Sequence, residues 1–365
     1  MLRWTAKLIL ETWDETCAVI ATGDMLYCFR GAFGIRQDRD HMYVDVFDTV
    51  SLRWRTVTPA VPLEAPSARC HHTAALVGDT AYVWGGDMRE QEYCNVLYAF
   101  DVNVHRWSKP GVSGDVPQGR IYHSACVVLG KDMFIHGGLT TTRFTNDFYK
   151  LDTSTMVWAS INTRGSAVPL ALACHSAATI GTKIFVFGGI VEEPHCSHCY
   201  NSVQVFDTET NVYGSLTPST TQPLPEGRQG HSAFAYNGEM YIFGGTTTSM
   251  CSRCKQRKKK MENHCTDLWK FNPETFSWKE VKPKGNDDNN GPLRMIDGCC
   301  CIVGDRVILF GGGGILRSWD ELFVLDLSPS LKTLCKLAVI QHDLDQSELP
   351  HHLRLELEAM TKYKL

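Results

Sequence analysis

The sequence predicts an all-β fold: six four-stranded sheets packed around one axis, closed by an N-terminal strand and followed by a short helical tail. Three observations predict it. A Gly-Gly pair ends an apolar run at Gly85-Gly86, Gly137-Gly138, Gly188-Gly189, Gly244-Gly245 and Gly311-Gly312, with a degenerate copy at Arg30-Gly31. His72, His123, His175 and His231 stand 14 or 15 residues before the second glycine, each followed by Thr or Ser and then Ala. Asp48, Asp101, Asp152, Asp207 and Asn272 are each followed six residues later by an aromatic: Trp54, Trp107, Trp158, Tyr213 and Trp278. An offset that holds five times running marks a structural repeat.

Each element of the unit has a physical reason. The first strand begins at the histidine, preceded three residues earlier by Arg69, Arg120 or Arg228, with Leu172 in the fourth copy. The second strand is the apolar run that ends in Gly-Gly, where positive φ and close backbone approach require glycine. The third strand alternates and ends in Asp or Asn. The fourth carries the aromatic, which fills the wedge between neighbouring sheets. One such sheet cannot bury both faces alone, whereas six around an axis bury them against each other and leave only short edges. In the sixth copy Asp326 is followed at the aromatic position by Lys332. Trp4 is the expected substitute, brought by an N-terminal strand that completes the last sheet. The predicted domains are residues 1–329 for the ring and 330–365 for the tail.

The tail changes period. Leu331, Leu334, Cys335, Ala338 and Val339 fall on one helical face, and Ser328-Pro329 suits a helix start. Leu349, Leu353 and Leu357 form a second stripe, with Pro350 at its head.

Composition narrows the function. Lys plus Arg number 36 and Asp plus Glu 40, a formal charge of −4. That argues against a general binder of nucleic acid or acidic membranes. Hydrophobic residues make up 43%, so a packed core is expected rather than disorder. No apolar run approaches the ~18 residues of a membrane span, and Met1 to Glu15 turns acidic too soon for a secretory signal. An odd number of cysteines, 15, fits a reducing compartment, so the expected location is cytoplasmic and nuclear.

The Gly-Gly, Asp-x5-aromatic and Arg-x-x-His pattern resembles the kelch β-propellers over about nine tenths of the chain. The stretches NVLYAFDVN, DLWKFNP and SPSLKTLCKLAVIQ sharpen this to the kelch substrate receptors of cullin-2 ubiquitin ligases. The resemblance implies an elongin-binding box at Leu331, Leu334, Cys335 and Val339 and a cullin-2 box at Leu349, Pro350, Leu353 and Leu357. It implies as partners elongin B, elongin C, cullin-2 and the C-termini of target proteins, and a non-catalytic adaptor. The competing expectation is a kelch scaffold that binds chromatin or actin without ligase assembly.

Relatives of this type read a terminal carboxylate with Arg just after the fourth Gly-Gly. Here that segment is Ile190-Val191-Glu192-Glu193-Pro194, and Gln229-Gly230 replaces the hydroxyl expected before the fifth-copy His. The remaining candidates for target contact are Arg89, Tyr122, Arg143, Gln229, Arg317 and Trp319. Cys196-x2-Cys199 and Cys251-x2-Cys254 have the spacing of zinc knuckles, although Cys199 at a strand start favours a packing role. No metal or cofactor is expected. Lys255 to Lys260 is a basic run with the composition of a nuclear signal or a solvated loop. The repeated histidines recur with the fold, so a structural role is expected for them rather than general-base catalysis.

Overall fold

The computed structural model describes residues 2–9, 17–31, 41–51, 53–58, 64–88, 92–165, 167–192, 196–216, 222–247, 249–251, 263–283, 295–311, 313–314, 317–318 and 321–330, with single positions of the tail to 357. Arg89, Trp319, Leu331, Leu334 and Cys254 lie outside the described residues, as do the basic run and the side chains of Arg317, Cys196 and Cys251.

Six antiparallel sheets form the ring. Blade one runs Cys17–Thr22, Met25–Arg30, Tyr43–Asp48 and Arg53–Val57. Blades two to five repeat this order from Cys70, Ser124, Ser176 and Ser232. Blade six takes Cys299–Val303, Arg306–Phe310 and Glu321–Asp326 from its own repeat and Arg3–Ile9 from the other end of the chain.

The repeat positions fall into place. Asp48 Oδ1 accepts from the N–H groups of Val50 and Ser51, and Asp101, Asp152, Asp207 and Asn272 do the same for their own turns. A short side chain with an acceptor oxygen is therefore required where the third strand turns into the fourth. The residue before each Asp or Asn pairs with the aromatic six positions beyond the turn residue: Phe47 with Trp54, Phe100 with Trp107, Leu151 with Trp158, Phe206 with Tyr213 and Phe271 with Trp278. Trp4 pairs with Leu325 in the same register and completes the series.

The wedge between blades is aromatic. The side chain before Gly-Gly meets the tryptophan of the next blade: Phe29 with Trp107 at 5.6 Å, Trp84 with Trp158 at 6.1 Å, Phe187 with Trp278 at 5.0 Å, Phe243 with Trp4 at 5.7 Å and Phe310 with Trp54 at 5.9 Å. Most of these contacts are edge-to-face, the arrangement the ring quadrupole favours. At the remaining boundary His136 stacks on Phe148, which meets Tyr213. Six buried clusters, one per boundary, make up the core.

Glycine is imposed by histidine. A Cβ on Gly85 would lie 2.4 Å from His123 Cε1 of the next blade, and one on Gly86 would lie 2.9 Å from His72 Cβ of its own blade. The same clashes recur at Gly137 with His175 and at Gly188 with His231. At these boundaries the glycine and histidine signatures mark shared contacts, whereas a Cβ on Gly244 would lie 2.7 Å from the Met295 carbonyl oxygen.

Candidate ligand pocket on the propeller axis

A cavity of about 180 Å³ opens where the inner strands converge. Its wall takes residues from every blade: Cys17; His71 and His72; Tyr122 and His123; Cys174 and His175; Gly230 and His231; and Asp297, Gly298 and Cys299.

Two concentric rows build this wall. The outer row is the histidines. His123 Nε2 is hydrogen-bonded to Thr73 Oγ1 at 2.9 Å, His175 Nε2 to Ser124 Oγ at 2.9 Å and His231 Nε2 to Ser176 Oγ at 2.6 Å, each reaching into the preceding blade. Blade one has Ala18 at the hydroxyl position, and His72 Nε2 donates to the Phe29 carbonyl instead, at 3.2 Å. Burial pushes all four imidazoles far below the usual histidine range, His72 to about 3. They are neutral packing and bonding groups, as their recurrence with the fold predicts.

The inner row is the residue just before each histidine position. His71, Tyr122, Cys174, Gly230 and Asp297 all have positive φ, between 53° and 62°. Four of the five have side chains, for which this conformation is unfavourable. Backbone bonds between blades hold it. Cys174 N–H donates to the Tyr122 carbonyl, Gly230 N–H to Cys174 and Asp297 N–H to Gly230. Strain of this kind concentrates at functional sites, and here the row surrounds one cavity.

The inner row is chemically varied. Tyr122 Oη is hydrogen-bonded to His71 Nε2 at 3.1 Å, with ring centroids 4.1 Å apart. Burial lowers His71 to about 4 and raises the Tyr122 phenol, so both are neutral at physiological pH. Burial raises the Asp297 carboxyl to about 6. No cation or hydrogen-bond donor among the described residues meets that carboxyl.

The arginines stand behind the pocket. Arg120 and Arg228 are fully buried, each donating to the carbonyl of the first glycine in its own Gly-Gly pair and forming a two-pronged ion pair, with Asp147 and Asp267 respectively. Arg69 donates to the Gly85 carbonyl, lies over the Tyr98 ring and has Val96 where the others have an acid. Leu172 and Met295 fill the equivalent place in blades four and six, both buried. The second glycine of each pair donates its N–H to this position of the next blade, from Gly86 to Arg120 through Gly245 to Met295.

Of the expected contact residues, Tyr122 is in the pocket wall. Arg143 is exposed in a turn where its N–H and carbonyl both bond Thr140 Oγ1, and it is not a wall residue. Gln229 pairs through its backbone with Thr246 and leaves the wall to Gly230. The backbone of Arg317 pairs with Gly314. Sequence reasoning missed His71, Cys174 and Asp297. Their only signal is a shared column, one place before the histidine.

Above this face Leu172–Ala173, Ile190–Glu192, Cys196–Cys199 and Ser249–Cys251 form a separate sheet from loops of blades four and five. Cys199 ends its strand rather than starting one, and its thiol faces the Thr246 carbonyl at 3.8 Å. Cys196 pairs with Cys251 in register. No group of three or more metal-ligating side chains assembles among the described residues.

In the tail, helical backbone occurs at Cys335, Lys336 and Val339 and at His351, Leu353, Arg354 and Leu357. Cys335 is exposed, Val339, Leu349 and Leu353 are half-buried, Pro350 is exposed and Leu357 is buried. No helix among the described residues is long and apolar enough to cross a membrane.

Comparison with known proteins agrees with this architecture. The model of the KLHDC2/KLHL20/DRC7 Kelch-repeats domain matches residues 9–189 and 71–313. Kelch domain-containing protein 3 of Bos taurus and of Homo sapiens are each 44% identical to the chain, over 99% of it and 96% of the relative. A solved structure of YjhT superposes with a TM-score of 0.63 at 16% identity, covering 87% of this chain and 95% of that one, a likeness of fold alone. The repeats, their register and these matches agree: the chain belongs to the kelch-repeat β-propeller family.

Proposed function

We propose that the protein is a substrate-recognition subunit of a cullin-2 ubiquitin ligase with elongin B and elongin C. It holds the end of a target polypeptide over the axial pocket for ubiquitination and takes no part in bond chemistry itself. The observation that carries this reading is the tail, in which the Leu331-x3-Cys335-x3-Val339 stripe is followed by Leu349-Pro350-x2-Leu353-x3-Leu357 directly after a kelch ring. An exposed Cys335 suits close approach of a partner helix, an ordinary helix-in-groove mode. Leu357 is buried in the chain itself, which leaves Pro350, His351 and Arg354 as the exposed side of the second segment.

The pocket favours a chain end with a cationic group near Asp297. An ionised Asp297 repels a terminal carboxylate and attracts an ammonium or guanidinium, and the neutral histidines leave that preference unopposed. Rigid walls under variable loops are where such specificity is built.

Co-purification tests the assembly. Leu331→Arg with Cys335→Arg, or truncation before Ser328, should remove elongin B and C from the purified complex. Both changes spare Leu327, the last buried residue of the ring core. Elongin retention by both variants would refute the ligase reading.

A further inference from the structure

The boundary between blade six and blade one departs from the others. At three boundaries a histidine at the start of one blade bonds a Ser or Thr of the blade before; His72 bonds the Phe29 carbonyl, and Ser232 Oγ donates to the Gly298 carbonyl where blade six has no histidine. By strand register Cys17, paired with Arg30, stands at the histidine position, as His72 does opposite Gly85. Cys299, paired with Phe310, stands at the hydroxyl position, as Ser124 does opposite His136 and Ser176 opposite Phe187. The last boundary is therefore made by two thiols. Their sulfurs are 3.1 Å apart, and the Cys299 thiol also faces the Cys17 carbonyl. Both side chains line the axial cavity, 282 positions apart in sequence.

We propose that Cys17 and Cys299 are an oxidisable pair whose disulfide joins the first and last blades in the pocket wall. The separation is shorter than ordinary contact between sulfurs and needs about 1 Å of approach to reach a bond near 2.05 Å. The oxidant is a peroxide. One thiol attacks a peroxide oxygen, giving a sulfenic acid and water as the O–O bond breaks. The second thiol then attacks that sulfur, the S–O bond breaks, and the hydroxyl leaves as a second water. Two thiols and one hydrogen peroxide thus give one disulfide and two waters. The cavity supplies the route for a small neutral oxidant. Hydrogen bonding, of Cys17 with Cys28 and of Cys299 with Cys17, together with burial holds both thiols protonated, so the reaction is slow and demands sustained oxidant rather than a trace.

The bond would close the ring a second time. The N-terminal strand already ties the outer edge of blade six, while this link would tie the innermost strands and fix the cavity wall. Cys28 is the competing partner: it lies two residues from the position opposite Cys17 on the neighbouring strand, packs in the same core cluster and is not a wall residue.

The experiment is non-reducing peptide mapping of the purified full chain after hydrogen peroxide treatment and alkylation in denaturant. The expected result is a linked pair of peptides containing Cys17 and Cys299 that dithiothreitol separates, with a melting temperature that rises on oxidation and falls back on reduction. Cys299→Ser should lose both effects yet keep its circular dichroism, because Ser occupies the same position in three other blades. A Cys17–Cys28 link, or alkylated Cys17 and Cys299 after oxidation, would overturn the proposal.

Discussion

Trp4 pairs with Leu325, and that pairing places the first strand of the chain as the last strand of the ring. The indole is buried between Phe243 and Phe323, both edge-on. It does what Trp107 and Trp278 do in interior blades, across the longest separation in the fold. Trp4→Ala should cost about 3–5 kcal/mol, the usual range for a buried tryptophan. Deleting residues 1–9 should cost more, since it also exposes the edge of Glu321–Asp326. Chemical denaturation of both variants measures the difference, and a deletion as stable as the full chain would show that the strand does not close the ring.

Glycines in this chain divide into two kinds, and one substitution of each separates them. Gly78 has φ of +57° in a turn with open space around it, whereas Gly85 has φ of +76° and His123 Cε1 at 2.4 Å from the missing Cβ. Gly78→Ala should therefore cost only the left-handed penalty of about 1–2 kcal/mol. Gly85→Ala adds displacement of a buried imidazole and loss of its bond to Thr73, and should cost at least twice as much. Equal melting temperatures would mean that the histidine yields freely.

Acid should unfold the ring well before it titrates ordinary surface carboxylates. His71, His72, His123, His136, His175 and His231 are all held below the usual range by burial. Such a group stays neutral in the folded chain and charges in the unfolded one. The unfolded state then binds more protons as pH falls through about 6.5, and stability is lost from there downward. Each histidine contributes a slope of up to about 1.4 kcal/mol per pH unit. Asp297 opposes this: with its folded value raised to about 6, protonation stabilises the fold as pH falls from about 6 towards 4. One carboxyl is outweighed by six imidazoles. Melting temperature should fall steadily from pH 7 to pH 5, and a flat or rising profile would contradict the neutral-histidine belt.

The ring was legible in the sequence because each repeated residue meets the same demand in blade after blade. Asp and Asn recur because a turn needs an acceptor, the aromatics because a wedge needs filling, and Gly-Gly because neighbouring backbone carbonyls and the histidines of the same and the next blade occupy the space of their Cβ atoms. The pocket was not legible in the same way. His71, Tyr122, Cys174, Gly230 and Asp297 share a backbone conformation and a place on the axis but no chemistry, so no repeated letter marks them. Variation in a column flanked by fixed positions is itself the signal. Arg143 and Gln229 carry suitable side chains on loops of the propeller, and neither lines the cavity. Cys17 escaped notice because its role belongs to histidine in the other blades.

Asp297 is the residue on which ligand selectivity should turn. It faces the cavity with no cation among the described residues to balance it, held in the left-handed region by the N–H it gives to Gly230. Asn keeps the shape, tolerates that backbone conformation and removes the charge. For a peptide with a basic residue near its end, loss of a charge-assisted contact worth about 1.5–3 kcal/mol should weaken binding roughly tenfold to a hundredfold. An amidated peptide with Ala in place of the basic residue should bind both forms alike, whereas its free-acid form should bind Asp297→Asn more tightly, because the repulsion between carboxylates is gone. Comparing amidated peptides with and without the basic residue isolates the attraction to Asp297 from any effect of the terminal carboxylate. If Asp297→Asn binds the basic peptide as well as the unaltered protein does, the carboxyl is not the reader and selectivity lies in the loops above.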